Sequence, residues 1–377
     1  MNKQYIGGND MRRRTLLCGV ILILGLLSWT TIGISEDKKP EEKEPPKVKK
    51  EYTLALKYAK GEKINVEKKT AYNVNVAGKI KYTINPSGGQ EINQNINMDN
   101  STSGTGITKY EEELLEVSEK GEIDKLKREY FKDSTKSKSQ TTLIVQGETQ
   151  EQPAKEETKD SPLDGKTIIL ERDNKEIKVK IKDSKAKLPE DIEKTLMIDD
   201  LIKVILPKEP VKIGDTWSID PKEGWKIFEL TSKEMKRLKP KDFSAECTLK
   251  EVTQKDQSEY ARIVIKGKIE LETTDLKSIF NVNAQSKDGE DMGNPLKGMD
   301  GSMTMTIKYN AEFLFNISQG KPVSLEINSD EIKGIIEGGG TMKQQQQGMS
   351  IDIDMEMKLK IKGDGKSETT YKYEKEK

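Results

Sequence analysis

The chain has 377 residues, in which 65 lysines and arginines balance 65 aspartates and glutamates, and it contains no histidine. The absence of histidine excludes Ser-His-Asp and Cys-His catalysis, imidazole-containing zinc sites and an imidazole pH switch. The zero net charge argues against nucleic-acid binding, and hydrophobic and aromatic fractions of 33% and 5% argue against a thick globular core.

The N-terminus has the pattern of an export signal. Three arginines at residues 12–14 precede a nearly continuous apolar stretch over residues 16–34. Cleavage after Ser35 would release a soluble exported protein, whereas an uncleaved stretch would be close to the roughly 20 residues that span a bilayer. Residues 1–35 are therefore predicted to be a signal peptide or an N-terminal membrane anchor, and both alternatives export the remainder.

Residues 36–50 are predicted to be a solvated linker, because eleven of these fifteen residues are charged and three are proline. A second charged stretch, residues 133–161, is predicted to be a flexible loop that contains one short strand at residues 141–145. The remaining divisions are an N-terminal β-rich half at 51–220, a helical connection at 221–242, a C-terminal β-rich half at 243–362 and a tail at 363–377.

Between the loops, apolar and polar residues alternate, which predicts β-strands. Even positions are apolar or small from Tyr72 to Ile84, and odd positions carry Ile, Met or Leu from Ile351 to Ile361. The same pattern occupies residues 177–181 and 263–271, and residues 313–327 form a predicted hairpin around a glycine-containing turn. Strands with one apolar and one charged face are typical of antiparallel sheets that are wet on one side.

Two segments predict helices that would cover the apolar face. One begins at Pro189 and ends near Pro207, and the other begins at a capping box formed by Thr231 and Glu234 and ends before Pro240. The predicted fold class is therefore mainly β, of the α+β type. It consists of one long, curved antiparallel sheet, or two smaller ones, with two or more short helices on the apolar face.

The two cysteines cannot form an intramolecular disulfide once the export segment is removed or inserted in a membrane. Cys18 belongs to the apolar N-terminal stretch, and Cys247 is the only other cysteine. Cys247 lies on the apolar parity of residues 243–249, which predicts a buried structural thiol.

The carboxylates do not form a recognisable cation site. Asp352, Asp354 and Glu356 share the polar face of a strand, and residues 288–291 lack the ligand spacing of a calcium loop. The glycines at residues 338–340 are not followed by the Lys-Ser/Thr of a phosphate loop. We therefore predict no metal, no cofactor and no catalytic residue.

Methionine is concentrated late in the chain, where eight of the 13 lie between residues 292 and 357. Met303 with Met305, and Met355 with Met357, each place two thioethers on one face of a strand. Adaptable core packing is the ordinary interpretation, and a cuprous-ion site would need a further ligand. The functional alternative is a deformable lining for an acyl chain, so these four residues form the predicted apolar ligand face.

The segment from Leu206 to Trp217 contains the sequence Pro-Val-x-x-Gly-Asp-x-Trp. It predicts a tight hairpin with a structural corner at Gly214, Asp215 and Trp217. With this segment, and with Leu-Lys-x-x-x-Gly-Glu at residues 56–62, the chain resembles a family of uncharacterised exported bacterial proteins. The resemblance implies an envelope location and no known activity. In its expected fold the chain is also similar to periplasmic lipoprotein carriers of the LolA type.

The sequence thus predicts a noncatalytic protein of the bacterial envelope or periplasm that binds a lipid or another apolar ligand on the concave face of its sheet. The alternative is a structural or interaction protein, tethered through residues 16–34, with another envelope protein as its partner. A hydrolase that uses paired carboxylates without histidine is the third hypothesis.

Overall fold

The computed structural model of the chain describes residues 50–374 except for ten gaps. These gaps are residues 87–89, 120, 174–175, 183–187, 194–195, 197, 199–200, 226–238, 275–298 and 347–348. The predicted export segment, most of the linker and the capping-box helix lie outside the described residues. Within the described residues, none of the helices has the length and apolarity needed to cross a membrane.

The described strands form one sheet, which decides between the one or two sheets that the sequence allows, and all their pairings are antiparallel. The strands are β1 (Lys63–Pro86), β2 (Ile92–Val117), β3 (Ile123–Val145), β4 (Glu148–Glu151), β5 (Lys155–Asp160), β6 (Thr167–Asp173), β7 (Glu176–Ile181), β8 (Thr216–Ser218), β9 (Lys239–Lys255), β10 (Ser258–Thr273), β11 (Met299–Asn316), β12 (Lys321–Gln346) and β13 (Met349–Tyr373). Their order is β7-β6-β3-β2-β1-β13-β12-β11-β10-β9-β8, and β4 and β5 pair with β3. The mainly β class is confirmed.

The centre of the sheet is the pairing of its first long strand with its last. β1 pairs with β13 from Ile64 opposite Tyr373 to Pro86 opposite Ile351. This ladder joins the N-terminal meander β1-β2-β3 to the C-terminal meander β9-β10-β11-β12-β13. The two ends of the described chain are therefore held together by one long ladder of backbone hydrogen bonds.

The strands extend further than the alternation predicts. Residues 363–373, predicted as part of a tail, continue β13 to Tyr373, because Tyr371 and Tyr373 pair with Val66 and Ile64 and pack against the core. The predicted helical connection is also shorter than expected. Residues 221–225 form a helical turn, but β9 already begins at Lys239.

The prediction of a flexible loop at residues 133–161 is wrong. This stretch completes β3 and then forms β4 and β5, which pair with β3 in succession. The side chains of β4 and β5 are almost all exposed, so apolar burial does not hold these strands. Backbone ladder bonds hold them, and exposed cross-strand charge pairs such as Lys138 with Glu156 at 3.1 Å add little.

The prediction of one continuous helix from Pro189 to near Pro207 is also wrong. The described residues form two short helices, α1 (Glu190–Glu193) and α2 (Leu201–Ile205). Between them Leu196 and Ile198 are both buried and not helical. Residues two apart in a helix point about 200° apart, whereas extended chain can direct both to the same core.

Two clusters of buried side chains cover one face of the sheet, which we call the inner face. The larger cluster joins side chains of β1–β3 and β8–β13 with Ile202 and Ile205 of α2. The smaller cluster lies where β1, β2, β3 and β6 meet, and it includes Leu196 and Ile198. The segment around α1 and α2 therefore bridges both clusters. The opposite, polar face is called the outer face.

The segment before β1, residues 50–62, runs across the ends of several strands, and we call it the N-terminal strap. Tyr52 and Val211 exchange backbone hydrogen bonds of 2.8 and 3.0 Å. Further along, the Lys57 N–H donates to the Gly320 carbonyl at 3.0 Å, and the Gly61 N–H donates to that of Leu114 at 2.7 Å. The strap thus connects both meanders at the β11-β12 turn end of the sheet.

Candidate apolar ligand face

The four predicted methionines lie on the inner face, on the two strands that flank β12. Met303 and Met305 belong to β11, and Met355 and Met357 belong to β13. Their exposed fractions are 1%, 3%, 2% and 7%, and all four are members of the larger core cluster. The structure therefore brings the two pairs to one region, where they pack among the protein's own side chains.

The strand between the methionine pairs carries glycine at the facing positions. Gly334 is opposite Met305, Gly338 is opposite Met357, and Gly340 is opposite Met355. A Cβ atom at Gly334 would lie 2.9 Å from the Thr304 carbonyl oxygen, so the neighbouring strand packs closely there. The methionines consequently surround a strip of β12 that has few side chains of its own.

The apolar face continues from the methionines towards the β1-β2 and β12-β13 hairpin tips. It is formed there by Tyr82, Ile84, Ile92 and Ile353, which we call the apolar strip. Ile84 is opposite both Ile92 and Ile353, so these three side chains share one row across β2, β1 and β13. Ile92 is 47% exposed, and Ile84 and Ile353 are partly exposed. Burial decreases along the inner face from the methionine cluster to the tips.

The predicted structural corner holds α2 in place. Gly214 has a φ of 95°, and Asp215 closes the turn by accepting the Lys212 N–H at 2.8 Å through Oδ2. Trp217 is partly buried, and its Nε1–H donates to the Ile205 carbonyl at the end of α2, at 2.9 Å. The expected hairpin across this turn does not form, because β8 pairs with β9 and Val211 pairs with Tyr52.

Cys247 lies on the inner face of β9 as a free, fully buried thiol, as its parity predicts. Burial raises the pKa of this thiol to about 12. A thiol with so high a pKa is almost entirely protonated at neutral pH and is a poor nucleophile.

Sequence reasoning missed a buried ion pair between Glu112 of β2 and Arg128 of β3. The Arg128 Nε and Nη2 atoms donate to Glu112 Oε1 at 2.8 and 2.5 Å, and the guanidinium lies 4.6 Å from the centre of the Tyr110 ring. Burial opposes the charge on Arg128, but the Glu112 carboxylate and the two neighbouring tyrosines, Tyr110 and Tyr130, more than offset it and raise its pKa. The sequence did contain a signal for this pair. Glu112 lies on the same face of β2 as Tyr110 and Leu114, where a charged side chain needs a partner.

The described residues contain no group of three or more Cys, Asp or Glu side chains arranged to hold a metal ion. On the polar face of β13, Asp354 accepts hydrogen bonds from Asn85 and Thr341, and Glu356 pairs with Lys81 at 3.3 Å. These carboxylates thus act as exposed cross-strand partners. Residues 288–291 lie outside the described residues.

Comparison with known proteins yields no family. No family model and no curated protein matches the chain. Among solved structures, OccK7 (OpdD) from Pseudomonas aeruginosa aligns with 79% of this chain and 99% of its own chain. The sequence identity is 7% and the TM-score is 0.20, a value too low to support an argument about fold or function.

Proposed function

We propose that this chain is a noncatalytic, exported bacterial envelope protein that binds a lipid or another apolar ligand on the inner face of its sheet. The observation that supports this function is the apolar strip. It continues the methionine-lined part of the inner face, and its Ile92 is 47% exposed although the strand parity directs it to the apolar side.

The chemistry of the lining favours a flexible, apolar ligand. The thioethers of Met303 and Met355 are polarizable and adopt several rotamers, so they accommodate acyl chains without a fixed shape. Gly338 and Gly340 of β12 place no side chain opposite Met357 and Met355. A ligand entering along the apolar strip would meet the methionines by displacing flexible side chains rather than backbone.

A fluorescent C16 fatty acid provides a direct test of this proposal. We expect the purified chain, prepared without detergent, to bind this probe and to carry co-purified lipid detectable by mass spectrometry. The Ile92→Glu variant should weaken binding of the probe about tenfold or more, because the charge must be desolvated against the apolar chain.

A matched control is available on the opposite side of the sheet. Ile335 of β12 is 41% exposed and lies on the outer face opposite Lys360. The Ile335→Glu variant should bind the fatty acid as the parent chain does. Absence of probe binding, or equal losses in both variants, would overturn the proposal.

The second candidate, a membrane-tethered structural or interaction protein, is supported by the large polar outer face, where charges such as Lys81 with Glu356 and Lys358 with Glu337 are paired across strands. Crosslinking in cells should then recover one dominant envelope protein, and recovery of none would reject it.

A further inference from the structure

The outer face has a depression of about 600 Å³ that spans β3, β2, β1 and β13. Two rows of four side chains form it, as the strand register shows. The first row is Gln140, Ser101, Asn75 and Lys362, and the second is Lys138, Ser103, Asn73 and Asp364. The floor is therefore made of short hydroxyl and amide side chains, and the longer side chains stand at its two sides.

The two asparagines of the floor are held with their amide nitrogens engaged. Asn73 Nδ2 donates to Asp364 Oδ1 at 3.0 Å, and Asn75 Nδ2 donates to Asp99 Oδ1 at 2.6 Å. Each amide oxygen thereby remains as an acceptor at a fixed position. The hydroxyls of Ser101 and Ser103 lie in the same rows and can both donate and accept.

Lysines stand on both sides of this floor, and Asp364 adds one carboxylate beside Lys362 on β13. Lys138 on β3 is exposed and pairs with Glu156 in high solvent exposure, an interaction that contributes little and is readily exchanged. Lys362 on β13 is exposed, as is its neighbour Lys360, and neither forms an ion pair within the described residues. Three interstrand spacings separate β3 from β13, so the two lysine-bearing strands lie about 14 Å apart.

From this arrangement we infer that the depression is a binding site for an acidic polysaccharide. The amide oxygens and serine hydroxyls match the donors and acceptors of sugar hydroxyls. The two flanking lysines, which outnumber the one lining carboxylate of Asp364, match carboxylate or phosphate substituents. No aromatic side chain lines the depression in the described part of the chain, so it offers no platform for stacking nucleobases. This site is on the opposite face from the apolar strip and does not depend on lipid binding.

The test uses fluorescein-labelled oligogalacturonate, with binding to the purified chain followed by anisotropy. We expect the Lys362→Gln variant to weaken binding about tenfold, since it removes a charge-assisted hydrogen bond. The Asn75→Ala variant should weaken binding about fivefold, since it removes a neutral acceptor. Both substituted side chains lie on the polar face, and circular dichroism checks that the variants remain folded.

The same two strands provide a matched control pair. Asn65 of β1 is opposite Lys372 of β13 on the outer face, about 33 Å along the strands from Asn75 and Lys362. The Lys372→Gln and Asn65→Ala variants should bind oligogalacturonate as the parent chain does. Equal losses in the control pair would show binding to overall charge and would overturn the site.

Two competitor polymers separate the sugar and charge contributions. Dextran, a neutral polysaccharide, should compete at least tenfold more weakly than polygalacturonate because it lacks charge. Inorganic polyphosphate should also compete more weakly, and its competition should be insensitive to Asn75→Ala. The inference fails if the labelled oligogalacturonate does not bind, if dextran competes as well as polygalacturonate, or if polyphosphate does so.

Discussion

At the residue scale, Glu112 and Arg128 form a buried ion pair in which the loss of either partner is costly. Both side chains are 7% exposed, and Arg128 also donates through Nη1 to the Tyr130 hydroxyl at 3.3 Å. Desolvation of two charges consumes much of their mutual attraction, so the intact pair adds little net stability. Removing one partner is different, because the other charge then stays buried without compensation.

We predict that Glu112→Gln lowers the free energy of unfolding by about 3–5 kcal/mol. The double variant Glu112→Leu with Arg128→Met should be less destabilised than this single variant, because it leaves no buried charge. Urea denaturation measures both. The control is Glu356→Gln, which breaks the exposed ion pair with Lys81. The Lys81 side chain is 63% exposed and that of Glu356 is 73% exposed, so this variant should change stability little. A loss in Glu112→Gln no larger than this control contradicts the prediction.

One buried thiol and two partly buried phenols make the protein sensitive to alkaline pH. Burial raises the pKa of Cys247 from 9.0 to about 12 and that of Tyr82 from 10.0 to about 12, and it also raises the pKa of Tyr309. The folded state favours the neutral form of each group. Their contribution is therefore complete below the ordinary pKa values and is lost as the pH rises from about 9 towards 12.

We predict that the midpoint of urea denaturation decreases as the pH is raised from 8 to 10.5. Each group should lower the free energy of unfolding by up to about 1.4 kcal/mol for each pH unit above its ordinary pKa. The Tyr82→Phe variant should lose less stability over this interval, since one titrating group is absent. At pH 8 the thiol of Cys247 should react with a disulfide reagent only after unfolding. A midpoint independent of pH, or rapid reaction of Cys247 in the folded protein, would refute the expectation.

At the element scale, the N-terminal strap depends on the turn between β11 and β12. Lys321 follows this turn, pairs with Glu62, and places its ammonium group 5.0 Å from the centre of the Tyr58 ring. Gly320 has a φ of 67°, and a Cβ atom there would lie 2.6 Å from Lys57 Cγ and 2.7 Å from the Ala55 carbonyl oxygen. The strap therefore packs directly on a position that only glycine satisfies.

We predict that Gly320→Ala displaces the strap and destabilises the fold by about 2–4 kcal/mol, the sum of backbone strain and overlap with Ala55. Limited trypsin digestion should then cleave at Lys57 or Lys60 faster than in the parent chain. Gly147→Ala is the matched control, because Gly147 has a φ of 87° but no atom within 4 Å of its Cβ position. It should show only the backbone cost of about 1 kcal/mol and no change in strap cleavage. Equal behaviour of the two variants would disprove the packing role.

The elements also show where sequence patterns predict strands well and where they do not. β7, β10 and the β11-β12 hairpin follow from alternation, because one buried face requires a period of two. β4 and β5 have no buried face, so no apolar pattern marks them. Their pairing with β3, which precedes them directly in the chain, depends on backbone hydrogen bonds that no side-chain pattern marks.

At the scale of the whole molecule, the candidate sites depend on which strands are neighbours. The parity of Met303, Met305, Met355 and Met357 is evident from the sequence, but their convergence across β12 requires the order β13-β12-β11. The outer depression requires β3, β2, β1 and β13 to lie side by side in one register. Neither alignment follows from local spacing.

The sequence by itself determined that this protein is built of amphipathic strands, that Cys247 is buried, and that histidine chemistry is absent. These properties are local, since alternation and composition are fixed by neighbouring residues. Only the tertiary structure decided that β1 pairs with β13, that Glu112 meets Arg128, and that two polar rows form a depression. The physical reason is that a ladder of backbone hydrogen bonds can form between any two strands, so partner and register are selected by packing over the whole sheet.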